Sequence, residues 1–488
     1  MSPEIESSGD MTSSKTPHNP PLCVDLDGSL IFSDLLFESA FALLKQNALY
    51  LFLFPVWLMG GRANLKFQIA QRAPIDVSLL PYNQELLDYL SEEKAQGRQL
   101  VLATASNLAY AEQISSHLGI FDDVLCSDAH INMSGATKRA HLVDRWGEKG
   151  FDYVGNAAVD LPIWQVSRHA IVVNPDSGVE AKARQEAAVS RVFPAAPKGL
   201  MLYLTAMRVH QWVKNILIFV PLIVSHQLFD VQLATQSVLA FFVFGLCASS
   251  VYLLNDMLDL PADRQHETKS QRPLASGTLP IQQGLLMIPA LLLASVAIAI
   301  FLPLEFQLAL ALYYAVTLAY SLVLKQVLLV DLLVLAGLYT MRIIAGAAAI
   351  ALVPSFWLLA FSMFFFYSLA LVKRCAELIS AIEAGKAKVS GRSYKQEDLE
   401  GLAQTGIVSG FLAILVFALY INSSETAALY THPEALWLLC PLMLYWINRV
   451  WLLTRRDKMH DDPVVFAIYD RRSHWIALIA IGILALAI

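Results

Sequence analysis

We read nine apolar segments after residue 200, near 212–229, 233–254, 281–301, 305–323, 328–350, 354–372, 404–421, 435–453 and 474–488, the last of them short. Runs of this length fit helices that cross a bilayer, where every backbone N–H and C=O must be satisfied within the segment. Composition agrees: the 488 residues are 56% hydrophobic and 16% charged, with a mean hydropathy of +0.52, outside the soluble range. Residues 1–198 read largely as soluble protein. Charges alternate between the connections. Asp263–Arg272, Lys325, Lys373–Lys395 and Arg455–Arg472 lie on one side, while 302–305, 351–354 and 422–434 hold almost no Lys or Arg. The positive-inside rule puts the charged loops in the cytoplasm, and the soluble region with them. No internal repeat is visible, which disfavours a transporter.

One charged connection stands out. Asn255–Gly277 reads NDMLDLPADRQHETKSQRPLASG and carries Asn255, Asp256, Asp259, Asp263 and Arg272 between two apolar segments. Ionisable residues at membrane depth are functional candidates by default. At helical pitch 255, 256, 259 and 263 share a face. Pro261 disrupts the turn before it, so the first three are expected at a helix end and Asp263 past a kink. Clustered carboxylate oxygens are hard ligands for Mg²⁺. The bland alternative is a solvated loop.

The soluble region has a different pattern. LCVDLDGSL (Leu22–Leu30) is an apolar run ending in two aspartates. QLVLATASN (Gln99–Asn107) ends a strand on Thr104, and Lys138 follows the turn in SGATK. FDYVGNAAVD (Phe151–Asp160) ends a strand on Gly155, with Asn156 and Asp160 beyond. Helical stretches between such strands indicate a parallel sheet, whose strand C-termini are the usual place for a site.

These motifs resemble the haloacid dehalogenase superfamily over roughly 21–195. The resemblance implies that Asp25 attacks phosphorus to form an aspartyl-phosphate. Asp27 is then the general acid/base, Thr104 holds the phosphate, and Lys138 balances its charge. Asp25, Asn156 and Asp160 hold Mg²⁺. Asn156 stands where the family has an acid, and an amide brings no charge, so weaker metal binding is expected. A decayed scaffold is the alternative. A helical cap is expected at about 33–95. Its apolar stretch Ala48–Gly61 is too short to span and fits a surface lying on the bilayer, with Phe54 and Trp57 at the interface; an ordinary helical cap with a buried core is the alternative. FPAAPKG then marks the boundary to the second domain, 196–488.

Basic and polar residues punctuate the charged side of the apolar segments: Arg208, His210, Lys214 and Asn215, Tyr320 and Lys325, Asp331, Arg342, then Tyr367, Lys373, Arg374 and Glu377. Singly, each reads as an interfacial anchor. Arg342 differs, lying in mid-segment where an unpaired charge is costly. Together they could neutralise a polyanion. N-D-x-x-D-x-x-x-D followed by R-P-L-A-S-G on nine helices resembles the UbiA-type prenyltransferase superfamily over 199–488. R-x-x-Q-W-x-K-N, Y-S-x-x-L-K, K-R-x-A-E-L and DPVVFAIYDRRS narrow this to the polyprenyl-phosphate phosphoribosyltransferase branch. The second aspartate-rich motif of the aromatic-substrate branch is replaced by the basic KRCAELISAIEAGKAKVSGRSY.

The resemblance implies transfer of phosphoribose from phosphoribosyl diphosphate to a polyprenyl phosphate in a bacterial plasma membrane. Mg²⁺ lies on Asp256, Asp259 and Asp263, and the substrate is held by Arg208, Lys214, Asn255, Arg272, Tyr320, Lys325, Arg342, Lys373, Arg374 and Glu377. The fused phosphatase would remove the 5-phosphate. Prenyl transfer to an aromatic acceptor and a transporter with a regulatory phosphatase-like domain are the competing readings. The expected architecture is therefore α/β, a Rossmann-like parallel sheet with a helical cap, followed by an all-α membrane domain of nine transmembrane helices. Five scattered cysteines suggest neither a disulfide nor a zinc framework. The polar 1–20 stretch reads as a disordered lead-in, not a signal peptide. No basic stripe with interleaved aromatics points to nucleic acid.

Overall fold

The computed structural model describes residues 19–197, 199–383, 385, 393–459 and 462–488. Nearly all of the expected lead-in, and much of the basic stretch after Glu383, lies outside them. The chain divides into two compact units, Met1–Lys198 with Ala275–Ile281, and Gly199–Leu274 with Gln282–Ile488.

The first unit is built on six parallel strands: β1 (Leu22–Val24), β2 (Leu100–Asn107), β3 (Asp123–Ser127), β4 (Asp152–Gly155), β5 (Ala170–Val173) and β6 (Val189–Phe193). Their order is β3-β2-β1-β4-β5-β6, with Leu22 opposite both Leu100 and Asp152. Side chains alternate across the sheet, and both faces are covered. Val24, Leu102 and Val154 join Leu86, Leu90, Tyr110 and Ile114 in one core. Cys23, Val101 and Tyr153 join Leu142, Ile163 and Trp164 in the other. Helix Gln84–Ala95 falls within the stretch expected to form the cap, but its apolar face packs on the sheet. The cap helices are Leu35–Gln46, Phe54–Met59 and Gly61–Ala70, with a small core of Leu43, Ile69 and Ala73. Phe54 and Trp57 pack against that core rather than presenting their rings to an interface.

The second unit is helical. Among the described residues, six helices are long and apolar enough to cross a membrane: Val231–Leu258, Ile281–Ala299, Val330–Ala349, Phe356–Glu383, Gln396–Ile421 and Pro433–Arg455. The other three expected spans differ. The stretch 212–229 is a 3-10 helix, Val209–Phe219, followed by the short α-helix Val220–Val224 with Pro221 in its first turn. Leu304–Leu322 has the length but carries Glu305, Gln307 and three tyrosines, and Arg471–Ala487 is only 17 residues long. Small residues let the 3-10 segment sit close to its neighbours, as in membrane helix packing generally. A Cβ on Gly346 would lie 2.1 Å from the Ile218 carbonyl oxygen, and one on Gly245 would lie 2.6 Å from the Trp212 ring. Asp230 caps Val231–Leu258, accepting from the N–H groups of Gln232 and Leu233 at 2.9 and 3.0 Å.

Candidate functional site

Because β1 lies between β2 and β4, its C-terminal end brings three motifs together. Asp25 follows β1 directly, and Lys138, from helix Ala136–Trp146, donates to Asp25 Oδ1 at 2.6 Å and to the Tyr153 hydroxyl at 2.9 Å. Asp27 accepts from the Leu35 N–H at 2.9 Å and from Ser106 Oγ at 2.8 Å. Burial first, then the charge of Asp34, pushes the Asp27 carboxyl up to about 7. Thr104 is buried two residues before Ser106, whose N–H it accepts at 3.0 Å. Gly28, at φ +78°, lies against Asn156: a Cβ there would be 2.3 Å from its amide nitrogen. That left-handed conformation and close approach both require glycine.

Asp160 takes a supporting position. Its Oδ1 accepts from Tyr153 at 3.0 Å, and its Oδ2 accepts from the N–H groups of Asn156 and Ala157, both at 3.0 Å. One oxygen is thus held by the strand residue Tyr153 and the other by two N–H groups of the loop that carries Asn156. Burial, then the Asp25 charge, raises its carboxyl to about 6. Through these hydrogen bonds Asp160 fixes the loop that carries Asn156.

In the second unit the Asn255 motif ends its helix as its prolines suggest. Asn255 and Asp256 lie in the last turn of Val231–Leu258, Asp259 caps it, and Asp263 sits on the next short helix, Leu260–Arg264, with Pro261 at its start. The charged side chains sort into groups. Arg208 pairs with Asp256, and Arg272 Nη1 bridges Asp256 Oδ1 at 3.2 Å and Asp263 Oδ2 at 2.6 Å. Lys325 joins Asp259 at 3.0 Å and Asn255 at 3.4 Å. Arg374 is fully buried against Asp331 at 2.8 Å and also pairs with Glu377. Arg342 resolves its mid-helix charge by donating to Asn215 at 3.0 Å, the Leu338 carbonyl at 2.6 Å and the Tyr313 hydroxyl at 3.1 Å. Tyr320 is half-buried near the end of Leu304–Leu322.

The remaining group turns on a residue that sequence reasoning did not single out. Asp462 receives Lys214 Nζ at 2.8 Å, Lys373 Nζ at 3.2 Å and the Tyr339 hydroxyl at 2.7 Å. Burial opposes its ionisation, but the two ammoniums and these hydrogen bonds outweigh it and hold the carboxyl well below the usual range. The signal was its place at the head of DPVVFAIYDRRS. Asp462 also caps the helix Pro463–Tyr469.

Among the described residues no three His, Cys, Asp or Glu side chains are grouped to hold a metal ion. Asp256 and Asp263 share one guanidinium, that of Arg272. Two hard carboxylates already gathered on a single positive group have the donor chemistry that Mg²⁺ takes. Asp259 is turned to Lys325 instead.

Long apolar helices and a six-stranded parallel sheet together mark an integral membrane protein joined to an α/β unit. The chain belongs to the UbiA prenyltransferase family, whose pattern matches residues 216–477. An uncharacterized protein of Sinorhizobium fredii is 36% identical over 464 residues, covering 94% of this chain and 90% of that protein. The decaprenyl-phosphate phosphoribosyltransferase of Mycolicibacterium smegmatis is 37% identical over 206 residues, covering 41% of this chain and 64% of that enzyme. Among solved structures, a HAD-family hydrolase of Salmonella enterica serovar Typhi aligns at 16% identity with a TM-score of 0.27, over 38% of this chain and 71% of that one.

Proposed function

We propose that the second unit transfers phosphoribose from phosphoribosyl diphosphate to a polyprenyl phosphate, and that the first unit then removes the 5-phosphate. The observation that carries this reading is the Asp462 group. Two lysines share one carboxylate there, Lys214 buried and Lys373 part-exposed, so the group sets two ammoniums against the one carboxylate that holds them. Burying an unbalanced charge is costly unless an anion completes it, and a phosphate monoester supplies that anion. The Arg208, Asp256, Asp263 and Arg272 group balances its own charge. It would take a diphosphate only with an added cation. Prenyl transfer to a neutral aromatic acceptor uses one diphosphate seat and leaves the Asp462 lysines without a task. Likeness to the decaprenyl-phosphate phosphoribosyltransferase supports the same donor and acceptor.

Asp256 and Asp263, with Asp259 and Asn255 beside them, would hold Mg²⁺, which supplies charge neutralisation for a departing diphosphate. Arg208 and Arg272 stabilise the charge that grows on the same group. Lys214 and Lys373 hold the lipid phosphate, with Asp462 fixing both ammoniums. An oxygen of that phosphate bonds to the anomeric carbon as the bond to diphosphate breaks. No base is needed, since the nucleophile is already ionised. An apolar cavity of about 1130 Å³ in the same unit, walled by Phe361, Phe365, Phe417 and Trp446, would take isoprenoid chain. In the first unit Asp25 attacks the 5-phosphate, and Asp27 gives a proton to the leaving alcohol and later takes one from water. Lys138 neutralises the phosphate. The loop charges support a cytoplasmic place for the charged loops and the first unit, and likeness to bacterial relatives supports a bacterial plasma membrane.

Donor competition tests the transfer. Purified protein with polyprenyl phosphate and Mg²⁺ should release diphosphate from phosphoribosyl diphosphate and not from a prenyl diphosphate with an aromatic acceptor. The reverse preference would reject the reading.

A further inference from the structure

The cap of the first unit has an apolar face that neither its own core nor the phosphatase chemistry uses. Ala48–Phe52 and Phe54–Met59 form an apolar helical run too short to span a bilayer. The run is two-faced. Tyr50, Phe54 and Trp57 turn inward onto Leu43, Ile69 and Ala73, with Tyr50 and Phe54 ring centroids 6.1 and 5.9 Å from Trp57. Leu49, Leu51, Phe52, Leu53, Val56, Leu58 and Met59 turn outward, Phe52 at 73% and Met59 at 88% exposure. Seven large apolar side chains within eleven residues form a patch of the kind that marks an interaction site on a soluble domain.

Charge identifies the occupant. From Ser39 to Ile75 the sequence contains no Asp or Glu, although the chain as a whole carries a net −6. The same stretch holds Lys45, Arg62, Lys66 and Arg72. Lys66 turns toward the strand ends, donating to the Ala105 carbonyl at 2.6 Å and to Asn132 at 3.1 Å. Lys45, Arg62 and Arg72 are exposed, and the Arg72 guanidinium lies 5.1 Å over the Trp57 ring. An apolar face flanked by cations and free of carboxylates suits the boundary between acyl chains and anionic headgroups. The chain is itself an integral membrane protein, so its first unit is tethered where such a surface is available.

We infer that Leu49–Met59 is a monotopic docking surface. It seats the cap in an anionic bilayer, with the outward residues among the acyl chains and Lys45, Arg62 and Arg72 at the headgroups. This docking is independent of which phosphate the first unit hydrolyses.

Full-length chain in phosphatidylglycerol-rich nanodiscs tests it. An environment-sensitive fluorophore is attached at Phe52→Cys, Met59→Cys or the exposed Gln96→Cys, with the native cysteines replaced. Quenching by spin-labelled lipid should be about twofold or more stronger at 52 and 59 than at 96, as for residues buried in the acyl boundary. Equal quenching overturns the proposal. So does a blue-shifted but unquenched signal, which marks a face covered by protein such as a second copy. Hydrogen exchange of the unaltered chain gives a second measurement that needs no substitution. Exchange over 48–60 should be slower in phosphatidylglycerol than in phosphatidylcholine nanodiscs, and equal rates overturn the proposal.

Discussion

In the first unit Asp25, Thr104 and Asn156 stand at or near the C-terminal ends of three neighbouring strands, so ladder hydrogen bonds fix their spacing. In the second unit Arg208, Asp256, Asp263 and Arg272 come from separate helices and turns, and Lys214, Lys373 and Asp462 from places still farther apart in sequence. There the ion pairs themselves set the spacing. A site on a sheet can lose one charge and keep its shape. A site assembled from ion pairs depends on each charge for its geometry as well as its chemistry.

The largest expected effect breaks the comparison at its nucleophile. Asp25→Asn should cut hydrolysis of a soluble phosphomonoester by about 10⁴-fold, as loss of a nucleophile does, with diphosphate release by the second unit unchanged. Asp256→Asn should lower diphosphate release by about 100-fold or more and leave phosphomonoester hydrolysis intact. It should also free Arg208 and Arg272, which a drop in thermal stability would register. Asp462→Asn sharpens the contrast, since it touches no reacting atom. It should lower kcat/KM for the lipid phosphate by about tenfold through misplaced lysines, with KM for phosphoribosyl diphosphate unchanged.

The smallest functional effect is expected at Asp152, which binds Arg98 and Arg168 at the strand ends remote from Asp25. Burial opposes its ionisation, but Arg168 and Arg98 hold its carboxyl below the usual range. Its contribution to stability is therefore full above the usual carboxylate range and lost as pH falls through the depressed value. Asp152→Asn should cost about 3 kcal/mol, the scale for breaking a buried pair, and flatten the acid limb of a denaturation profile without changing turnover at permissive temperature.

The first-unit site was legible because each motif is local: a strand and the residue after it. The Asn255 motif was legible for the same reason, down to the break at Pro261. Partner choice was not. Nothing in the spacing shows that Arg272 bridges Asp256 and Asp263 while Asp259 turns to Lys325, since those pairings depend on how helices pack. Asp462 escaped because its lysines lie 248 and 89 residues away. The first apolar segment reads from composition as a span, whereas its residues fold as a 3-10 helix seated against Gly245 and Gly346, followed by a short α-helix.

The most direct test follows the lipid product of the full chain supplied with labelled phosphoribosyl diphosphate, polyprenyl phosphate and Mg²⁺. The unaltered protein should yield polyprenyl-phosphoryl-ribose, and Asp25→Asn should accumulate the 5-phosphorylated lipid in its place. Dephosphorylated lipid from Asp25→Asn, or no lipid-linked ribose from either protein, would contradict the two-step account.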